Sequence, residues 1–439
     1  MTRTLSRFSC FLFPIMPTDT PDTPHASSPP TSPPTSPPTP DPQRVRRIVN
    51  DAQAIEAAHA LAAQFGPGAS RRDRERILPW DELALWSESG LGGITVPREF
   101  GGADVSHATL AEVFAIVSTA DPSLGQIPQN HFGVLAVVRE VGSESQKARL
   151  YGEALAGYRF GNAGPERRSA QARTILEGTT RLRQTPAGLR LDGRRFYSTG
   201  ALFAHRVPTR ALDDEGRVVQ VWVPRNAPGV TVIDDWNALG QRTTASGSVL
   251  FEDVPVDADD VLPVWKMANT PGVTGAHSQL IQAAIDLGIA QAALADAIAF
   301  VRERARPWVD SGVERASDDP HLIGDVGRLT IDVHAAREVL FDAANVLDAV
   351  RKLPIDADAS ARASVAVAEA KILTTRAALD ASEKLFEWAG SSATRAAHNL
   401  DRHWRNARTH TLHDPVRWKQ HLIGNYLVNR ALPARHAWN

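Results

Sequence analysis

The sequence predicts an α+β fold that is mostly helical, with an N-terminal helical domain, a central β-barrel domain and a C-terminal four-helix bundle. Three observations predict it. Apolar residues recur at helical spacing from Arg44 onward. Near residue 159 the pattern changes to short runs rich in Val, Leu, Ile, Tyr and Thr, separated by Gly, Pro, Asn or Asp. From about Gly275 the helical period returns in much longer stretches. The expected divisions are a disordered Pro/Ser/Thr-rich tail over 1–43, an α domain over 44–158, a β domain over 159–262 and the bundle over 263–439.

The tail comes first. Ser27 to Pro42 is a Pro/Ser/Thr tract with almost nothing to bury, so an extended, disordered arm is expected. The apolar run Phe8 to Met16 is short, contains Pro14 and lacks a small-x-small cleavage site, so it is not read as a secretory signal. Met16 offers a second possible start. Helices are expected over 44–65, where Val45, Ile48, Ala52, Ile55, Ala58 and Leu61 share one face, and over 81–91, 107–119 and about 145–155. Strands are expected over 173–184, 188–196, 218–224, 230–233 and 247–252. The bundle helices are expected at 278–305, along the stripe Val326 to Leu347, along the stripe Val365 to Phe386, and at 418–430.

Composition excludes several classes. The chain has 439 residues, 43% hydrophobic and 22% charged, with a formal net charge of -2, an ordinary globular profile without a field suited to nucleic acid or an anionic membrane. The basic and aromatic stretch Arg395 to Arg417 is a poor nucleic-acid surface against that balance. Cys10 is the single cysteine, so there is no intrachain disulfide and no Cys-based metal site, which fits a reducing cytoplasm. No stretch is read as reaching the roughly 20 apolar residues that span a bilayer. Gly-rich dinucleotide loops, Walker sequences, H-E-x-x-H and G-x-S-x-G are all missing. A cofactor site, if present, has to be assembled from several domains.

Four stretches carry a family resemblance. Leu91 to Gly102 contains Gly92-Gly93-Ile94-Thr95-Val96-Pro97 and then Phe100-Gly101-Gly102. Leu239-Gly240-Gln241-Arg242-Thr243-Thr244-Ala245-Ser246-Gly247 precedes Leu250 to Val256. Arg304-Ala305-Arg306-Pro307-Trp308 follows the first bundle helix. Asp401-Arg402-His403-Trp404-Arg405-Asn406-Ala407-Arg408 lies near the end. In this order, across an α–β–α chain, they resemble the acyl-CoA dehydrogenase superfamily over about 44–430. The departure is informative. Where the dehydrogenases continue into Y-E-G-T, this chain reads Thr409-His410-Thr411-Leu412-His413-Asp414-Pro415. That ending, with Phe196-Tyr197-Ser198-Thr199-Gly200-Ala201-Leu202-Phe203-Ala204-His205, is similar to flavin monooxygenases on this fold, the dibenzothiophene monooxygenases and the sulfur-acquisition oxidoreductases.

The resemblance implies reduced FMN (FMNH2), delivered by a separate flavin reductase, molecular oxygen and a small organosulfur substrate, in a homotetramer. The alternative is an FAD-dependent acyl-CoA dehydrogenase or related oxidase with Asp414 as base; a non-catalytic partner or sensor on the same fold is a third reading. Oxygen activated by a reduced flavin needs hydrogen-bond donors, and then a proton as its O–O bond breaks. A histidine suits that role because its ordinary pKa lies near neutrality. His413 is expected to handle the proton and contact the cofactor, with His410 in support. Ser198 stands where the dehydrogenases place a hydroxyl beside the flavin. Phe196, Asn162, Ala163 and Gly164 belong to the expected flavin-facing stretches, and 163–170 to a lid. Arg304, with Arg306 behind it, is the expected phosphate contact. Ser391 and Ser392 lie where a neighbouring subunit reaches the cofactor. Asn130 and His131 are expected near the substrate side, and Trp236 is weighed between pocket and core. No metal is expected.

Overall fold

Asn50 starts the helical layer: its side chain accepts a hydrogen bond from the Gln53 N–H at 2.9 Å, and α1 (Asp51–Glu75) follows. The computed structural model describes residues 36–166, 179–268, 270–352, 354–436 and 438–439. The spacing predicts a helix ending at 65, before Gly66-Pro67-Gly68, but α1 runs through that stretch. A Cβ at Gly68 would lie 2.5 Å from Arg72 Nη1, so glycine makes room for Arg72 to fold back. Arg72 then donates to Phe65 O at 2.5 Å, to Glu82 Oε1 at 2.7 Å and twice to Asp121 Oδ2, at 3.1 and 2.9 Å. These ties offset the bond that Pro67 removes.

The N-terminal layer continues with α2 (Trp80–Glu88), α3 (His107–Ala120), α4 (Pro122–Gln126), α5 (Gln129–Val141) and α6 (Glu144–Leu155). The sequence reading has no counterpart for α4 or α5. Asp121 caps α4, accepting from the Ser123 and Leu124 N–H groups at 3.0 and 3.4 Å, and so fixes the short helix that carries Gln126. Asp121→Ala removes this cap and one of the two carboxylates that hold the buried Arg72 guanidinium. We expect a loss of about 3 kcal/mol in unfolding free energy, measured by urea titration. An unchanged midpoint would show that the Arg72–Asp121 pair contributes nothing net.

The middle of the chain forms β1 (Arg181–Thr185), β2 (Gly188–Arg195), β3 (Arg206–Leu212), β4 (Val218–Pro224), β5 (Val230–Ile233), β6 (Ser248–Val256) and β7 (Val261–Leu262). Their order is β5-β6-β2-β1-β3-β4-β7, antiparallel except at β1–β3. The expected barrel is not closed. The edge strands, of four and two residues, are too short to meet, and helices stand where a closing strand would lie. Gln146 of α6 covers the β7 edge, donating to Asp259 O and Val261 O, each at 3.0 Å. The expected strand 173–184 is replaced by β1; its part over 173–178 lies outside the described residues.

The tail is not wholly free of the fold. Pro37 is buried, and His205 Nε2 donates to Pro38 O at 3.0 Å. Packing therefore begins inside the stretch expected to be a disordered arm. Cys10, the Phe8–Met16 run and the tract up to residue 35 lie outside the described residues.

The last third forms α7 (Thr274–Glu303), α8 (Pro320–Arg351), α9 (Ala357–Ala389), α10 (Asp401–His410) and α11 (Val416–Asn429). The four expected bundle helices appear as α7, α8, α9 and α11. In length and composition α7 would suffice to cross a bilayer, contrary to the sequence reading, yet 67% of its most apolar window is buried. It packs against α9, α8 and α3. Its apolarity on every side is that of a helix enclosed by protein.

Candidate functional site

Ser198 lies in the turn after β2 and is 1% exposed, with its N–H bonded to Gly247 O at 3.0 Å. From there a chain of hydroxyls crosses to the loop before β6. Thr199 Oγ1 and Ser246 Oγ are 2.7 Å apart, Ser246 Oγ and Thr244 Oγ1 2.8 Å, and Thr244 Oγ1 donates to Gln241 O at 2.9 Å. Trp236 Nε1 donates to the same carbonyl at 2.8 Å, and its ring stands edge-on to Tyr197. Trp236 is half-buried, so it joins the rim of this loop rather than the core. The loop docks on α10 because Gly240 has no Cβ to strike Arg405 O, and the Gln241 N–H donates to Asn406 Oδ1 at 2.6 Å. One turn later α10 ends at His410.

His410 is buried between two domains. Its Nδ1 lies 2.5 Å from Asp286 Oδ1 on α7, and its Nε2 lies 3.0 Å from Gln126 Oε1 on α4. Burial lowers the His410 pKa, although Asp286 pulls it upward. His413 is 38% exposed at its side chain, with Nδ1 3.3 Å from Asp414 Oδ1. Its Nε2 has no protein partner among the described residues. The helix stops at His410, so the two imidazoles do not share a face: His410 turns inward and His413 outward.

Asp414 is 4% exposed and gripped from three sides. Lys419 Nζ is 3.5 Å away, His413 is on its other oxygen, and the Gln279 amide, oriented to satisfy both groups, donates at 3.0 and 3.3 Å. Burial acts to raise its pKa, but His413, Lys371 and Lys419 outweigh it and hold the carboxyl well below the usual range.

Among the described residues, four side chains around this junction carry buried polar atoms without partners: Ser198 Oγ, Thr409 Oγ1, and both amide atoms of Gln241 and of Gln282. Gln282 lies on α7 between Gln279 and Asp286, on the stripe that faces α10 and the turn after it. Each such orphan costs about 1–3 kcal/mol, so a cluster of them marks a surface shaped for a ligand.

The other predicted residues fall into two groups. Asn162, Ala163, Gly164 and Phe196 belong to the Ser198 side. Ala163 is buried beside β3, with its N–H on Pro208 O at 3.1 Å and its carbonyl accepting from Thr209 Oγ1 at 2.7 Å. Asn162 folds its amide over Gly164, and the Phe196 N–H donates to Pro165 O at 3.0 Å. Over 163–166 the expected lid is fastened: Arg195 Nη1 donates to Gly164 O at 2.7 Å, and Glu166 accepts from the Thr179 and Thr180 N–H groups at 2.6 and 2.8 Å. Residues 167–170 of that lid lie outside the described residues. Asn130 is half-buried on α5. His131 is a staple inside the fold: Nε2 donates to Gly92 O at 2.8 Å and Nδ1 accepts from the Phe160 N–H at 3.1 Å.

Arg304, Ser391 and Ser392 form the second group, away from Ser198. Arg304 caps the end of α7, exposed, with Nη1 3.3 Å from His398 Nδ1. Ser391 and Ser392 follow Gly390, at φ 71°, and are exposed on the same connector as His398. Arg306 is also exposed just beyond α7. Among the described residues, Arg304 is tied to His398 on the Ser391 connector rather than to the Ser198 side.

Sequence reading misses Gln126, Gln279, Gln282, Asp286, Lys371 and Thr375. A signal existed for two of the elements. Gln279, Gln282 and Asp286 interrupt the apolar α7 at helical spacing, and Lys371 interrupts the Val365–Phe386 stripe. Polar residues inside an apolar face need buried partners.

With this geometry described, comparison with known proteins is direct. The family described as acyl-CoA dehydrogenase, N-terminal domain, matches residues 51–158, and that described as acyl-CoA dehydrogenase, C-terminal domain, matches 280–418. Dibenzothiophene monooxygenase of Mycolicibacterium goodii is 33% identical, over 86% of this chain and 94% of that protein. SfnC of Pseudomonas putida, an FMNH2-dependent monooxygenase by name, is 31% identical over 87% of this chain and 96% of its own length. The FMN-bound structure of TdsC from Paenibacillus sp. A11-2 superposes with a TM-score of 0.83 at 30% identity, covering 88% of this chain and 100% of TdsC. The chain belongs to the acyl-CoA dehydrogenase family, in the branch that holds the dibenzothiophene monooxygenases.

Proposed function

We propose that this protein is a two-component monooxygenase that uses FMNH2 and molecular oxygen to oxidise a small organosulfur compound. The observation that carries the reading is the set of unpartnered buried polar atoms on Ser198, Gln241, Gln282 and Thr409, beside a turn that offers His413. A flavin fits this surface. Its ring edge carries several donors and acceptors, and Ser198 Oγ and two primary amides are available to match them. FMN is favoured because relatives that cover most of this chain are named for FMNH2 or hold FMN.

Bound reduced flavin would supply the two electrons that activate oxygen; one oxygen atom goes to sulfur and the other leaves as water. The chain's own residues do the rest. Ser198 Oγ donates a hydrogen bond toward the ring. Asn162, Ala163, Gly164 and Phe196 line the same side, and Asn130 stands near the substrate. His413 Nε2, free of protein partners among the described residues, delivers the proton. Arg304, on the Ser391 side of the chain, takes the phosphate of a neighbouring copy's cofactor through paired guanidinium bonds. In a homotetramer the exposed Ser391 and Ser392 reach a neighbouring copy's cofactor. A separate flavin reductase supplies FMNH2, and the cytoplasm suits the lone cysteine.

The FAD-dependent dehydrogenase reading needs Asp414 as a base. An ionised carboxylate held by Gln279, Lys419 and His413 is a weak base and is packed away from solvent. The test supplies the purified chain with a flavin reductase, FMN or FAD, and a panel of sulfides, sulfoxides, sulfones and acyl-CoAs. FMN-dependent, oxygen-dependent conversion of a sulfur compound is expected. Tight FAD binding with flavin reduction by an acyl-CoA under nitrogen would reverse the conclusion.

A further inference from the structure

Beneath the turn that carries His413 lies an ion pair for which the function above has no use. Asp286 on α7 and Lys371 on α9 are both fully buried, 2.7 Å apart. Asp286 Oδ2 also accepts from Thr375 Oγ1 at 2.9 Å, and Oδ1 meets His410 Nδ1. As a stability device such a pair is poor, because apolar side chains of similar volume usually do as well. Its geometry serves something else.

We propose that Asp286, with Lys371 as its counter-charge, is a positioning dyad that holds the His410 ring through its Nδ1–H and, through it, the 410–414 turn that presents His413. The role given to His413 rests on the function proposed above; the action of the dyad on His410 does not.

Three observations support it. The turn hangs on His410: the His413 N–H donates to His410 O at 3.0 Å, immediately after α10 ends. The same stripe of α7 holds the far side of the turn, where Gln279 grips Asp414 two helical turns before Asp286. The charged groups facing His410 are also few: Asp286 from α7, Lys371 from α9 and His413 from the turn, while α4 contributes only the neutral Gln126. Burial and Lys371 lower the pKa of this imidazole while Asp286 raises it, and Nδ1 faces the carboxylate. Nε2 faces Gln126 Oε1 at 3.0 Å, so the ring is held from both sides by oxygen atoms and its orientation is fixed.

The test has two arms. In the first, exchange of the histidine C2 proton is followed by mass spectrometry across pH on the full chain without flavin. Asp286→Asn is expected to lower the pH at which His410 titrates, and Lys371→Met to raise it. Opposite shifts show that both charges act on His410; whether they position it is decided by the second arm. In the second, the double variant Asp286→Leu/Lys371→Met replaces the pair by apolar volume and remains folded by circular dichroism. Its sulfur product per oxygen consumed should fall about tenfold, to the level of His410→Ala. If His410 titrates at one pH in wild type and both single variants, the action of the dyad on His410 fails. A double variant with wild-type product yield rules out the positioning role, and it carries that decision even if a single variant does not fold. Should the wild-type chain oxidise no sulfur compound, the proposed function fails alone, and the His410 titration still decides the dyad.

Discussion

His413→Ala is expected to lower the yield of oxidised sulfur product at least about 100-fold while flavin binding stays near wild type. Losing a positioned proton donor removes about 10²- to 10⁴-fold in rate, and nothing else on the turn can take its place. Leu412 and Pro415 carry no proton, and Asp414 is buried and ionised. Oxygen would still be consumed, since reduced flavin reacts with it without help, so hydrogen peroxide should replace sulfur product almost mole for mole. The ring is 38% exposed at its side chain, which leaves a path for added imidazole to restore part of the yield. The measurement pairs an oxygen electrode with peroxide and product assays. A variant that keeps wild-type product yield would remove His413 from the mechanism.

Mild acid is expected to destabilise the fold steeply between pH 6.5 and 4. Burial pushes the His131 pKa down to about 4, and that of His277 well below its ordinary value; His205, half-buried, is lowered to about 4. A folded-state pKa below the unfolded value means that the unfolded chain binds more protons in this window. Stability is therefore full above about pH 6.5 and falls as pH drops toward the folded values. Each fully buried imidazole contributes a slope of about 1.4 kcal/mol per pH unit, so His131 and His277 together give about 3 kcal/mol per unit. Asp296 and Asp414 act lower on the scale. Their carboxyls are held below the usual range, so their stabilisation is present above about pH 4 and is lost only beneath it. Urea titrations at pH 7, 6 and 5 should show the decline, and His131→Gln should flatten it. A flat curve over that range contradicts the assignment of neutral, buried rings.

Much of this architecture was legible because it follows from periodicity. The stripe Val326–Leu347 could only be a helix face, and α8 contains it. What stayed hidden depended on partners far away in sequence. The extension of α1 past Gly66-Pro67-Gly68 needs Asp121 and Glu82 to hold Arg72. β3 carries Pro208, which argues against a strand until Ala163 is seen donating to its carbonyl and leaving the missing N–H unneeded. The barrel expectation failed because strand count does not say whether the edges meet. Motif position singled out Ser198 and His410, and the structure places both buried, Ser198 in the turn after β2 and His410 at the end of α10. The division of labour between His410 and His413 was not legible, since it depends on where α10 stops and on a carboxylate more than a hundred residues earlier.

The enclosure of α7 decides which parts of this region can move. This helix touches α3, α8 and α9 and carries Gln279, Gln282 and Asp286 on its remaining stripe, so it can neither slide nor roll without breaking packed contacts on several sides at once. The floor beneath the 410–414 turn is thus held by packing on several sides, and any give in this region has to come from the turn rather than from α7.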